Sequence, residues 1–397
     1  MGGKKMKSIA FRHLWFGQAL ANLGDVLYIV GLISAVYTMT GSAVYMTAVP
    51  LIITFSRFVS SVVAPLLMNR TTLRALLAWS QAAKTALLFI VLFALQSLSV
   101  WPLLMLGAGI AFLDGWALPA RNAFVPYLVK REELMGANGF LSTVDQIIQF
   151  SSWALGGVLL SLIGVDYLFV TVFILFLVST VYMFRLPAAL RTNLEERKSW
   201  WAQLGEGWVL VKEKRGLVSV FCVYALESIA ATVWIAAVLY LYVDRQLGKG
   251  EEWWGFINSA FFIGLLLASI VIFRYHGLFS RKRASILPLT IIMTSIITLF
   301  FAWNELAILA LVLSLLFGLF DQLKTIILQT YLQESAPPDE LGKIYAAQGT
   351  LTTLLFGLSS AGAGLLVEKW SIPAVFTVSG ILLALSIIPM TVFLKNE

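Results

Sequence analysis

The chain has 397 residues, of which 59% are hydrophobic and only 12% charged, with a formal net charge of +7. Soluble domains carry about 25% charged residues, so most of this surface is expected to meet lipid, and at about 20 residues per crossing the length suits about twelve spans. A single cysteine, Cys222, and two distant histidines, His13 and His276, exclude an internal disulfide, and neither a metal nor a cofactor is expected.

Hydrophobic runs fall near residues 11–39, 44–67, 74–96, 101–121, 136–163 and 166–186, then near 217–243, 253–275, 284–302, 305–329, 343–367 and 371–394. The first run follows Lys4, Lys5 and Lys7, but it is too long for a signal-peptide core and is interrupted by Asn22 and Asp25, so it reads as a retained helix. Very short turns at Thr40–Ala43, Ser97–Val100 and Gly164–Val165 require antiparallel neighbours. The longest polar stretch, 187–216, separates an N-terminal six-helix bundle (1–186) from a C-terminal one (217–397). It mixes both charge signs with Trp200, Trp201 and Trp208 and reads as a linker containing an amphipathic helix on the membrane face.

The basic residues set the orientation. With the N-terminus placed in the cytoplasm, 22 of the 28 Lys and Arg fall on that side, three on the other (Arg245, Lys249, Lys369) and three within spans. This asymmetry predicts cytoplasmic termini in a multi-pass inner-membrane protein. It also explains the net charge without nucleic acid. A weak internal repeat accompanies the six-plus-six count. Asp114 precedes Glu133-Leu134 by 19 residues, and Asp321 precedes Glu340-Leu341 by the same interval. Two like-oriented halves fit this pattern.

Charges inside spans are costly and mark candidate functional positions. Five acids qualify (Asp25, Asp114, Asp145, Glu227, Asp321), as do three bases (Arg57, Lys84, Lys324). Four of the acids fall one each on spans one, four, seven and ten. A surplus carboxylate held away from water binds a proton or a cationic substrate, and all five acids are candidates for either task. Structural pairing stands beside this reading: Asp25 with Arg57, Asp114 with Lys84, and Asp321 with Lys324 three residues away. Glu227 is the acid left to titrate if Lys324 is engaged by Asp321. Asp145 lies on a polar stripe with Asn138, Ser142, Gln149 and Ser152, a helix face that cannot look at lipid. Asn22, Ser142 and Gln149, with the aromatics Tyr28, Trp116 and Trp234, are candidate cavity-lining residues, the aromatics offering apolar and cation–π contact to a lipophilic cation. No P-loop, paired histidines or nucleophile elbow occurs, so neither direct ATP coupling nor an enzyme is expected.

Three stretches carry a family resemblance: FRHLWFGQALANLGD with the following TGSA (Phe11 to Ala43), PLLMNRTTLR (Pro65 to Arg74), and PARNAFVPYLVKREELMGANGF (Pro119 to Phe140). The chain resembles the major facilitator superfamily, and within it the bacterial exporters of drugs, macrolides and siderophores. The resemblance implies an all-α membrane protein of two pseudo-symmetric six-helix bundles, with spans one, four, seven and ten lining a central cavity. It also implies a cytoplasmic gate motif at Asn69, Arg70, Arg74 and Arg121, although Pro65 and Asn69 replace the family's usual Gly and acid. The expected function is proton-coupled export of an amphipathic small molecule by a monomer in contact with membrane lipid. Nutrient uptake, lipid or lysolipid transport, and a transporter-shaped sensor or scaffold remain as alternatives.

Overall fold

The computed structural model describes residues 8–68, 70–94, 99–187, 200–234, 236–369 and 371–394. The first half runs through α1 (Ile9–Thr40), α2 (Ala43–Met68), α3 (Leu73–Ala94), α4 (Val100–Asp114), α5 (Ala117–Leu128) and α6 (Leu134–Phe184). Then come α7 (Trp200–Glu213), α8 (Arg215–Ala230), α9 (Ala236–Leu241), α10 (Glu251–Arg281), α11 (Arg283–Trp303), α12 (Ala307–Ser335), α13 (Pro338–Lys369), α14 (Ile372–Leu385) and α15 (Ile387–Leu394). Among the described residues, ten segments are long and apolar enough to cross a membrane. Two further long helices, the first arm of α6 and the 32-residue α13, stand where the sequence places the fifth and eleventh spans, and neither is among those ten as a separate crossing.

The boundaries follow local chemistry. Ser8 caps α1, its hydroxyl accepting from the Phe11 amide at 3.2 Å. Gly41, at φ 61°, closes the same helix through its N–H to the Tyr37 carbonyl, a left-handed cap that favours glycine. α6 is two spans joined at one residue, Gly164, with φ 76° and ψ 172°. Only glycine adopts that conformation without strain, so the turn expected at Gly164–Val165 is reduced to a single pivot. Span four extends further than its hydrophobicity suggests. The stretch expected to leave the membrane near residue 121 continues as α5 to Leu128, and Ala120, Arg121, Asn122, Ala123 and Phe124 are all buried. Packing against protein carries this polar helix where lipid would not.

Two compact units emerge from the contacts. One comprises Met1–Arg131, Ile147–Trp208 and Ala336–Gly349, the other Glu132–Gln146, Val209–Ser335 and Thr350–Glu397. Their bounds cross those of the sequence halves at α6 and α13.

In lipid, helices associate by close packing and hydrogen bonds rather than by the hydrophobic effect. The first unit shows this along α1. Gly17, Gly24 and Gly31, spaced seven apart, take Tyr182, Phe176 and Phe169 of α6 against their backbone; a Cβ on Gly24 would lie 2.6 Å from the Phe176 ring. Ser179 of α6 donates to the Gly17 carbonyl at 2.7 Å. In the second unit Ser379 of α14 donates to the Ala230 carbonyl of α8 at 2.6 Å. The same link, from last helix to first, thus occurs in both halves. Here α10 and α12 cross closely at Gly264 and Gly318, and Ser314 donates to the Ile257 carbonyl at 2.9 Å.

The pivot gives a direct test. Gly164→Ala is expected to lower the thermal midpoint of the detergent-solubilised protein, the strain being about 1–3 kcal/mol. Gly157→Ala, with open space around it, is not. Equal behaviour of the two variants would refute the assignment.

Candidate functional site: two buried charge clusters

Lys84 of α3 is the centre of the first cluster. Its ammonium lies 2.7 Å from Asp25 of α1 and 2.9 Å from Asp114 of α4, with its side chain only 2% exposed. Arg57 of α2 completes the group, its Nη2 at 2.9 Å from the second oxygen of Asp114. Four helices thus contribute two acids and two bases, and the formal charges cancel. The Phe176 ring of α6 lies 4.8 Å from the Lys84 ammonium and adds a cation–π contact. Asp25 therefore takes Lys84 as its ion-pair partner, not Arg57. Adjacency in the chain suggested Arg57, but α3 inserts its lysine between α1 and α4, and Arg57 closes on Asp114 instead.

The second cluster uses the same acid positions with a different base. Lys324 of α12, 1% exposed, lies 2.9 Å from Glu227 of α8 and 3.0 Å from Asp321 one turn earlier on its own helix. The lysine serves both acids, so engagement by Asp321 does not leave Glu227 alone. With one base for two acids, this cluster carries a formal charge of −1. The side chains of Glu227 and Asp321 are 17% and 31% exposed.

Each cluster stands beside a broken helix. Span four breaks between α4 and α5 at Gly115 and Trp116, directly after Asp114. Gly115 is required there because a Cβ would lie 2.6 Å from Ser60 Oγ and 2.8 Å from the Arg57 carbonyl. Span seven breaks after α8 in a 3₁₀ turn, Ala231–Trp234, four residues beyond Glu227. Local hydroxyls satisfy part of the disturbed backbone, as Thr232 donates to the Ile229 carbonyl at 2.9 Å. Mid-helix 3₁₀ segments mark hinges and binding sites, and interrupted spans are tolerated only where protein or water covers them. A tryptophan sits at each break, and the indole N–H of both Trp116 and Trp234 is buried without a hydrogen-bond partner. Trp234 stacks on Phe317 at 4.2 Å and lies against Phe301 at 4.7 Å.

The other candidate residues scatter. Tyr28 is 2% exposed and its hydroxyl is buried without a partner. Asn22 is half-buried and accepts from Gln18 at 2.9 Å. On the first arm of α6, Ser142 and Asp145 are half-buried and Gln149 is exposed. Of the gate motif, Asn69 lies outside the described residues and Arg70 is exposed. Arg74 donates to the Phe184 carbonyl at 2.8 Å, tying α3 to the end of α6. Arg121, expected in the cytoplasmic gate motif, is 5% exposed, because α5 buries it against protein. Sequence reasoning missed Phe176 and Ser60, which carry no charge to draw notice. It also missed the role of Asn138. That amide, fully buried, donates to Thr330 at 2.9 Å and Gln333 at 2.7 Å.

Removing a buried charge partner costs about 3–5 kcal/mol, so Lys84→Met is expected to lower the thermal midpoint sharply. Adding Asp25→Asn leaves the balanced Arg57–Asp114 pair and is expected to restore part of the loss. Thermal unfolding in detergent reads both variants, and a double variant no more stable than the single would refute the shared-lysine arrangement.

Comparison places this geometry among known proteins. Residues 220–397 match the family described as Major Facilitator Superfamily. The chain is 28% identical over 387 residues to the MFS-type transporter YfmI of Bacillus subtilis (strain 168), spanning 96% of this chain and 95% of that one. It is 26% identical over 368 residues to YjbB of the same organism, spanning 89% and 88%. Among solved structures, a bacterial homologue of the iron transporter ferroportin in its outward-facing state superposes with a TM-score of 0.77 at 16% identity, covering 97% of this chain and 99% of that one. The E. coli fucose:proton symporter FucP gives 0.73 at 12% identity, covering 95% and 98%. By its fold, the match over residues 220–397 and its full-length relatives, this chain is similar to the multi-pass membrane transporters of the major facilitator superfamily.

Proposed function

We propose that this transporter exports an amphipathic, cationic small molecule in exchange for protons, by alternating access between the halves 1–186 and 217–397 joined by the 187–216 linker. The observation that carries the reading is the unequal charge of the two clusters. Asp25, Asp114, Lys84 and Arg57 cancel among themselves, whereas Glu227 and Asp321 share one lysine. The second cluster therefore has room for one more positive charge, and a proton or a substrate cation fills the same role. Mutually exclusive occupancy by the two is the elementary requirement of exchange. The partly exposed carboxylates near the middle of their spans and the aromatic surface at Trp234, Phe317 and Phe301 suit a lipophilic cation. Asp145 is a further acid candidate on the first arm of α6. The distribution of Lys and Arg supports cytoplasmic termini in the inner membrane, and a single chain holding both clusters supports a monomer as the working unit.

Inside-out vesicles with a pH dye test the proposal. Lipophilic cations, macrolides or metallophores are expected to collapse an imposed proton gradient only when the protein is present, and Glu227→Gln is expected to abolish the response. Silence across that panel with folded protein would turn the reading toward uptake or lipid transport. Unchanged proton movement in Glu227→Gln would remove the coupling role from the second cluster.

A further inference from the structure

Arg57 is the outlier of the first cluster. Its side chain is 41% exposed, against 2% for Lys84, 9% for Asp25 and 17% for Asp114. Arg57 shares its face of α2 with the buried Ile53, Ser60 and Ala64 and with the exposed Pro50 and Thr54, while Leu51 and Phe55, 71% and 67% exposed, mark the other side. A guanidinium facing hydrocarbon near mid-helix is strongly disfavoured, which favours a watered surface within the protein as the environment of the Arg57 head group. Its fork is largely uncommitted. Nη2 holds Asp114 at 2.9 Å, and Nε is buried without a partner.

Two more polar groups, on the next turn of α2 and at the neighbouring break in span four, are in the same condition. Ser60 Oγ, one turn along α2, and Trp116 Nε1, at the break in span four, are both buried without a hydrogen-bond partner. The Gly115 backbone, pressed against Ser60 and the Arg57 carbonyl, holds the break beside this part of α2. Each of these groups donates, and an indole or guanidinium N–H accepts nothing. Lys84, the neighbouring cation, is already saturated by two carboxylates. Unfilled donors around a wetted guanidinium select an acceptor, and a charged planar acceptor above all.

We infer that Arg57, with Ser60 and Trp116, binds a carboxylate or similar oxyanion on the transported molecule. The inference builds on the export reading above and sharpens its substrate class from cation to zwitterion. The oxyanion competes with Asp114 for the guanidinium. Docking at Arg57 therefore loosens the Arg57–Asp114 pair and returns Asp114 to Lys84 alone.

The probes are tetramethylrhodamine and its methyl ester, which share one fluorescent cation and differ by a free carboxylate. Fluorescence anisotropy with the purified full-length protein in lipid nanodiscs is expected to show the free acid binding about tenfold tighter, the worth of one charge-assisted pair. In Arg57→Gln the acid's affinity is expected to fall to that of the ester, with the ester unchanged. Millimolar benzoate is expected to displace the acid and not the ester from wild-type protein, a measurement that needs no variant to fold. Equal affinity of the two dyes, a preference retained in Arg57→Gln, or binding of neither dye overturns the inference. Proton release driven by the ester, without preference for the acid, leaves the export reading standing and sinks only the oxyanion site. A preference for the acid without proton movement does the reverse.

Discussion

A lysine ammonium placed in a bilayer must find negative charge within reach, and the arrangement of α1 to α4 follows from that requirement. Lys84 satisfies it by drawing Asp25 and Asp114 from two other helices to within 2.9 Å. The positions of α1, α3 and α4 are thereby coupled by an interaction that none can leave without stranding a charge. The packing around it is subordinate. Gly24 makes room for Phe176 beneath the lysine, and Gly115 lets α2 approach closely enough for Arg57 to reach Asp114.

The second half solves the same problem with fewer parts. Its acids again stand on spans seven and ten, the counterparts of one and four, but its lysine comes from the tenth span itself. What the halves share is the acid on each of those helices and the serine that ties last helix to first. The supply of positive charge differs. Charge balance is where the two halves have parted.

Much of this was legible in the residues. The helical runs follow from apolar stretches and short turns, ten of them long and apolar enough to cross a membrane among the described residues, and the pairing of Asp114 with Lys84 from an acid and a base deep within neighbouring spans. The partner of Asp25 was not legible, because Arg57 is nearer along the chain and nothing local reveals that α3 stands between α1 and α4. The break at Gly115–Trp116 was hidden for a related reason. A single glycine inside an apolar helix is common, and the need for it arises from Ser60, on another helix. The extension of span four through Arg121 and Asn122 was misread because hydropathy assumes that a helix faces lipid, and this one faces protein.

The pivot at Gly164 has a mechanical consequence. Spans five and six are joined by one residue, so the connection holds no slack: with consecutive Cα atoms about 3.8 Å apart, the end of one arm cannot drift from the start of the other. The second arm grips α1 through Phe169, Phe176 and Ser179, and α1 carries Asp25. A displacement of the end of span five therefore reaches the start of the arm that packs on this helix, with no loop between them to absorb it.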